Sequence, residues 1–461
     1  MSHTFLAESI SQRKVQFANA VQEHSRSPIV SSSRRSFLKK SLAGTALLSI
    51  LPAARFAHAA SGGGPLKIAL IGCGGRGSGA ASAALHTGSN VQLVALADLF
   101  AGKPEGALKA LAAANPGKVD VPPERIFLGF DAYKHAIAAA DVAIIATAPV
   151  FHPAMFEEAV RQGKHAFVEK PVATDPPGIR RFLAAAQVAT GKNLKVGIGI
   201  QRRHHAGYQE AVARAQDGAL GRTLYYRVFW NMGAASNLTP RQPHWTELEY
   251  QIRNQRLFAW VNGDCPLDQG VHNVDVINWI KGAYPVRARA VAGAEVRRGA
   301  GAGCLFDHFA IEYEYADGTR LFAQDRQIPG CWDYVGESAY GPDGSLEMSN
   351  DRQLFAITGA NPWRYVVPKD FVNPYQREHD VLFAAIENDQ PHNEAERGAM
   401  STMGCILGRL AGYSGQEVEW EKAFHSETHV SADFKSLDDP APVQPDASGA
   451  YPLPVPGQWR F

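Results

Sequence analysis

The chain has 461 residues, 45% apolar and 20% charged, and its 46 Lys and Arg offset 45 Asp and Glu to leave a formal charge of +1. That length suits two domains, and so even a balance excludes a basic field that would steer nucleic acid. Five scattered cysteines, Cys73, Cys265, Cys304, Cys331 and Cys405, form no C-x-x-C pair; they supply neither a disulfide framework nor metal-ligand spacing and read as buried small hydrophobes.

Residues 1–60 read as a twin-arginine signal peptide and linker. Ser33-Arg34-Arg35-Ser36-Phe37-Leu38-Lys39 precedes a weakly apolar run at 41–51, too short to span a bilayer, and Ala57-His58-Ala59 is a small-x-small cleavage site. A disordered basic arm is the plainer alternative. The signal predicts export to the periplasm as a folded protein, with no membrane span in the mature form.

Residues 61–200 read as a dinucleotide-binding domain. The run at 66–71 is apolar without alternation, as in a strand buried on both faces of a parallel sheet. Gly72-Cys73-Gly74-Gly75-Arg76-Gly77 follows at once and opens an Ala-rich helix, which is G-x-G-x-x-G in its working context. The first glycine allows the turn, the second admits a pyrophosphate, and the third lets helix and strand pack. A second strand, 91–97, ends at Asp98, placed to bond adenosine ribose hydroxyls and to repel a 2′-phosphate; this favours NAD over NADP. Asp98 could instead be a turn or helix-cap residue. Strands at 142–147, 165–168 and 195–200 alternate with helices at 152–162 and 175–190, the pattern of a doubly wound parallel sheet. Ligands bind at the carboxyl ends of such strands, so Thr147, Pro149, His152, Glu169 and Lys170 stand at the mouth.

Residues 201–425 change character. β-rich runs at 223–230, 286–296, 305–315 and 320–325 are separated by Gly-containing turns, with Asp317-Gly318 a hairpin signal. Helical periodicity returns at 375–388 and 396–413, and 426–461 reads as a tail. Asp268 and His272 are spaced i, i+4 and share one helix face. Arg202, His204, Trp230, Arg253 and Asn254 are candidate sugar ligands, since aromatic faces cover C–H surfaces while Arg and Asn bond hydroxyls. Packing is the plainer role for each. The long segment 231–258 suggests extra loop cover over the substrate.

Glu169-Lys170-Pro171 after a strand, Ala148-Pro149-Val150-Phe151-His152, and Asp268-x-x-x-His272 within "DQGVHNVDVINW" together resemble the Gfo/Idh/MocA oxidoreductase family, over roughly residues 66–420. The resemblance implies an α/β Rossmann domain followed by an α+β domain with a large, open, mostly antiparallel sheet. It implies terminal helices packed back on the nucleotide half and a homo-oligomer, dimer or tetramer. It also implies Lys170, Asp268 and His272 as the catalytic trio for hydride transfer between NAD and a carbohydrate alcohol. Lys170 would hold the developing alkoxide, His272 would take the hydroxyl proton, and Asp268 would orient it. Taken singly, His272 could be a satisfied core histidine, Asp268 a helix cap and Lys170 a loop lysine. Because NAD is scarce outside the cytoplasm, an exported enzyme of this kind is expected to keep its cofactor and close the redox cycle in the site. An NAD-dependent glycoside hydrolase on the same scaffold, or a non-catalytic sugar or nucleotide sensor, are the alternatives.

Overall fold

The computed structural model describes residues 64–233, 239–429 and 433–461. The twin-arginine motif and its cleavage site lie outside them. Six strands form a parallel sheet: β1 (Leu66–Ile71), β2 (Val91–Asp98), β3 (Ile126–Leu128), β4 (Val142–Ile145), β5 (His165–Val168) and β6 (Val196–Ile198), in the order β3-β2-β1-β4-β5-β6. Every residue of β4 and β5 is buried, which is why these runs carry no alternation. The short edge strand β3 is only half-covered and had no apolar run to announce it. The strand order reverses between β1 and β4, so a crevice opens above their carboxyl ends, between the glycine turn and Thr147.

Nine strands form the second sheet, in the order β14-β13-β12-β11-β7-β10-β9-β8-β15. They are β7 (Tyr225–Met232), β8 (Arg287–Gly293), β9 (His308–Glu314), β10 (Arg320–Gln327), β11 (Tyr334–Gly341), β12 (Gly344–Ser349), β13 (Leu354–Gly359), β14 (Trp363–Arg364) and β15 (Val418–Glu419). Only β7 and β10 pair in parallel; the other neighbours are antiparallel. The expected open, mostly antiparallel sheet is therefore present, and β11–β14 extend it beyond the runs read from the sequence.

The helix Ala395–Ser414 runs through the core that both sheets share and is buried along most of its length. Its buried Arg409 donates to the carbonyls of Thr174 (2.7 Å) on the nucleotide side and Gly263 (3.0 Å) on the other. The helix Pro374–Glu387 packs back on the nucleotide half as expected, with Gln376 Nε2 donating to the Ala83 carbonyl at 2.9 Å. Each fully buried Leu, Ile or Phe in these layers contributes about 1.5–3 kcal/mol. Residues 433–461 are not a loose tail. Phe434, Ala441 and Tyr451 join Leu248, Phe258 and Trp260 in a separate apolar cluster. That cluster also corrects the reading of 231–258 as loop: Glu247–Arg253 is a helix, capped by the Thr246 hydroxyl accepting from Glu249 N at 3.2 Å.

Candidate active site

The glycine turn is fixed by contact distances. Gly72 has φ +94°, and a Cβ there would stand 2.6 Å from the Ala146 carbonyl oxygen. A Cβ on Gly77 would lie 1.9 Å from the Gly72 carbonyl oxygen, so the turn closes only with glycine at both. Gly74 and Gly75 differ: nothing lies within 4 Å of a Cβ on either. Gly74 lines a cleft of about 380 Å³, and this open wall is the space a pyrophosphate requires. Asp98 lines the same cleft at the end of β2. Its carboxylate accepts from Cys73 N (2.7 Å) and Phe100 N (3.0 Å), so it is both a strut for the turn and a rim group with lone pairs to spare for a ribose. The residues present fit a dinucleotide.

At the other end of the site, Lys170 follows β5. Its Nζ donates to the main-chain carbonyl of Asp268 and lies 3.8 Å from the Asp268 carboxylate. Burial lowers the Lys170 ammonium below the ordinary lysine range, against the pull of Asp268 and Glu169. Asp268 sits in a π-helical turn, Pro266–Gly270, and the regular helix Val271–Lys281 begins only after it. The expected single helix is thus two pieces, and such widened turns often mark functional sites. The turn is held from below. Asp264, at φ +71°, is fully buried and accepts from Tyr413 OH (2.5 Å), Cys265 N (2.6 Å) and Phe306 N (3.1 Å).

His272 is 4% exposed, and its Nδ1 is buried without a partner. Burial holds its pKa well below the usual imidazole value, and the positive charges of Lys170, Arg202 and Arg76 push the same way. Lys170 thus bonds Asp268, and its charge also acts on His272. The His272 ring stacks on Trp230 at 5.9 Å and 26°. Trp230 in turn carries the Arg202 guanidinium, 5.4 Å from its ring. Arg202 is clamped to buried Glu337, which also accepts from Tyr208 OH (3.0 Å) and Asn273 Nδ2 (2.9 Å). Burial raises Glu337 to about 7, opposed by Arg202.

The remaining sequence candidates divide. Glu169 binds Arg76 of the glycine turn, which also reaches Glu378 (3.3 Å) and lies 4.4 Å from the Tyr375 ring. Thr147 lines the cleft, and Pro149 is buried at the start of the next turn. His152 does not face the cleft: it is fully buried, with ring nitrogens 2.9 and 3.0 Å from the carbonyls of Pro171 and Thr147, and so ties two site loops together. His204 is buried against Glu394 at 3.1 Å, which makes it a packing residue rather than a sugar ligand. Arg253 and Asn254 do not stand beside His272 either. Arg253 lines the Asp98 end, its guanidinium 3.8 Å from the Phe100 ring, and Asn254 bonds the backbone of Thr239 and Tyr250. Arg256, in the short turn after the helix Glu247–Arg253, lies 3.7 Å from the Asp268 carboxylate. The described part of 231–258 thus covers the cofactor cleft along its length. Sequence reading missed Glu337, Tyr375, Glu378, Arg256, Phe434 and Lys435; none sits in a glycine-rich or spaced motif.

Residues 66–198 match the model of an oxidoreductase family with an NAD-binding Rossmann fold, Gfo/Idh/MocA. Over that nucleotide half the chain matches the Gfo/Idh/MocA family. An inositol 2-dehydrogenase of Rhizobium meliloti is 24% identical over 330 residues, covering 70% of this chain and 89% of that protein. A 1,5-anhydro-D-fructose reductase of Ensifer adhaerens is 26% identical over 292 residues, covering 61% and 80%. The crystal structure of an aldose-aldose oxidoreductase from Caulobacter crescentus has the same fold, with a TM-score of 0.61 at 19% identity over 77% of this chain and 99% of that one. The protein is an NAD(P)-dependent oxidoreductase, with NAD the cofactor its Rossmann half is built for. Among the described residues, no helix is long and apolar enough to cross a membrane.

Proposed function

We propose that the protein oxidises and re-reduces a secondary alcohol of a sugar or cyclic polyol, and that NAD stays in the site through turnover. Bound NAD would supply the hydride acceptor, held by the glycine turn, Asp98 and Arg76. Lys170 would bind the substrate oxygen. Its ammonium is anchored by the Asp268 carbonyl and desolvated, so it meets a developing alkoxide in a medium where charge acts strongly. His272 would take the hydroxyl proton, since burial and three nearby cations keep its ring neutral. The Trp230 face beside it offers an apolar surface to the substrate's C–H edge.

The observation that carries this reading is the pairing of Lys170, from the nucleotide half, with Asp268 of the second half, four residues before His272. The sugar or polyol class is supported by the relatives' names, inositol 2-dehydrogenase and 1,5-anhydro-D-fructose reductase. Residency of the cofactor is supported by the export signal at Ser33–Lys39, which we read as sending the folded, loaded protein to the periplasm. The exposed side chains Tyr225, Val291 and Phe322 on the nine-stranded sheet suit a homo-oligomeric contact.

The test is to purify the mature protein, dialyse it, extract bound nicotinamide, and follow nicotinamide absorbance while sugars and polyols are added. Retained NAD that is reduced by a polyol supports the reading. An empty protein that turns over only with millimolar added NAD ends the residency claim and leaves the dehydrogenase. Cleavage of aryl glycosides without net redox change by free sugars replaces it with the hydrolase.

A further inference from the structure

The Asp98 end of the cleft has a wall that no dinucleotide motif supplies. Asp433, Phe434 and Lys435 line it together with Phe130 and Arg253. We propose that Phe434 and Lys435 are cofactor-binding residues, held over the adenosine end, and that they set how fast the cofactor leaves. The proposal rests on the reading that NAD is resident.

Three independent ties hold this wall in place. Leu437 gives its carbonyl to the Thr246 hydroxyl at 2.6 Å, Val443 gives its carbonyl to Gln251 Nε2 at 2.5 Å, and Tyr451 OH donates to Glu247 at 2.6 Å. All three partners belong to the helix Glu247–Arg253 or its cap. Phe434 itself is buried between Phe130 (5.8 Å between rings) and Trp260 (5.5 Å). Phe130 belongs to the nucleotide half and Trp260 to the segment beyond that helix, so Phe434 bridges the two sides of the cleft.

The chemistry of the wall fits one part of a dinucleotide. Phe100, Phe130 and Phe434 are flat apolar surfaces, and the Arg253 guanidinium lies over Phe100 at 3.8 Å. Planar rings and a stacked guanidinium suit a purine base. Lys103 and Lys435, both exposed at the rim, suit the diphosphate that follows it. A ligand held between the glycine turn and this wall leaves only when Phe434 is displaced, and displacing Phe434 opens the apolar cluster.

The experiment loads the purified full chain with NADH, chases with excess NAD, and follows loss of NADH fluorescence in the wild type, Phe434→Ala and Lys435→Glu. Release accelerated about fivefold or more in both variants is the expected result, since an aromatic contact to a base contributes about 1–3 kcal/mol. Thermal unfolding without cofactor is read alongside. Lys435→Glu changes an exposed side chain, so its apo midpoint should stay at the wild-type value, and it decides alone where Phe434→Ala fails to fold. Wild type and variants releasing equally slowly overturns the proposal and leaves residency standing. A wild type that exchanges at once overturns residency; the wall then stands or falls on whether the variants weaken the NADH dissociation constant.

Discussion

The two ends of the cofactor cleft are built from different chemistry. At the Lys170 end, charge answers charge: Arg76 with Glu169 and Glu378, Lys170 with Asp268, Arg202 with Glu337. At the Asp98 end, aromatic rings and a stacked arginine do the enclosing. In the function we propose, the first end would arrange electrostatics around a reacting carbon, and the second would hold the part of the cofactor that does not react. Damage to the two ends should therefore separate into lost rate and lost retention.

The largest effect should come from removing one member of the buried pair behind His272. Glu337→Ala leaves Arg202 charged and unpaired, a loss of about 3–5 kcal/mol in unfolding free energy measured by chemical denaturation. Stability unchanged in that variant would mean the pair is not load-sharing, and the electrostatic account of this end would fail. Lys170→Met should lower kcat/KM by about 10²- to 10³-fold while NADH binding, read by fluorescence, is kept. Equal loss of binding would erase the separation between ends. Gly77→Ala should cost on the order of 1–3 kcal/mol and weaken cofactor binding, because its Cβ meets the Gly72 carbonyl; Gly75→Ala should change stability by no more than about 0.5 kcal/mol.

The smallest effect concerns pH. His379 is fully buried beside Phe167, and burial lowers its pKa from 6.5 to about 3. The unfolded chain binds this proton at higher pH than the folded one, so stability is fully present above the unfolded value and is lost as pH falls towards the folded one. His379→Phe should flatten that acid slope, seen by comparing unfolding midpoints at about pH 7 and about pH 4.5. An unchanged slope would place the acid sensitivity elsewhere, with His205, lowered to about 4, the next to test.

The parallel sheet and the candidate trio were legible because their signals are local. Buried strands read as unbroken apolar runs, and G-x-G-x-x-G and Asp-x-x-x-His fix residue types at short spacing. What stayed hidden depends on contacts between distant residues. Glu337 sits in β11 as a buried carboxylate, so the strand does not alternate and its acid reads as outward-facing until Arg202, 135 residues earlier, is brought to it. His152 and His204 looked like ligands because histidine chemistry is visible in sequence and its burial is not. Arg253 was read as a candidate sugar ligand, and its place against Phe100 depends on a helix that was read as a loop. The π-helical turn at Asp268 has no periodic signature; Asp264 and Tyr413 impose it.

Phe434 follows Gly72 by hundreds of residues, so a nascent chain exposes its nucleotide turn long before the far side of the pocket exists. If Phe434 closes the adenosine end as we propose, translation must pass that phenylalanine before a cofactor can be trapped, and loading would come late in synthesis. On the export we propose for the finished fold, the order would then be synthesis, capture, departure.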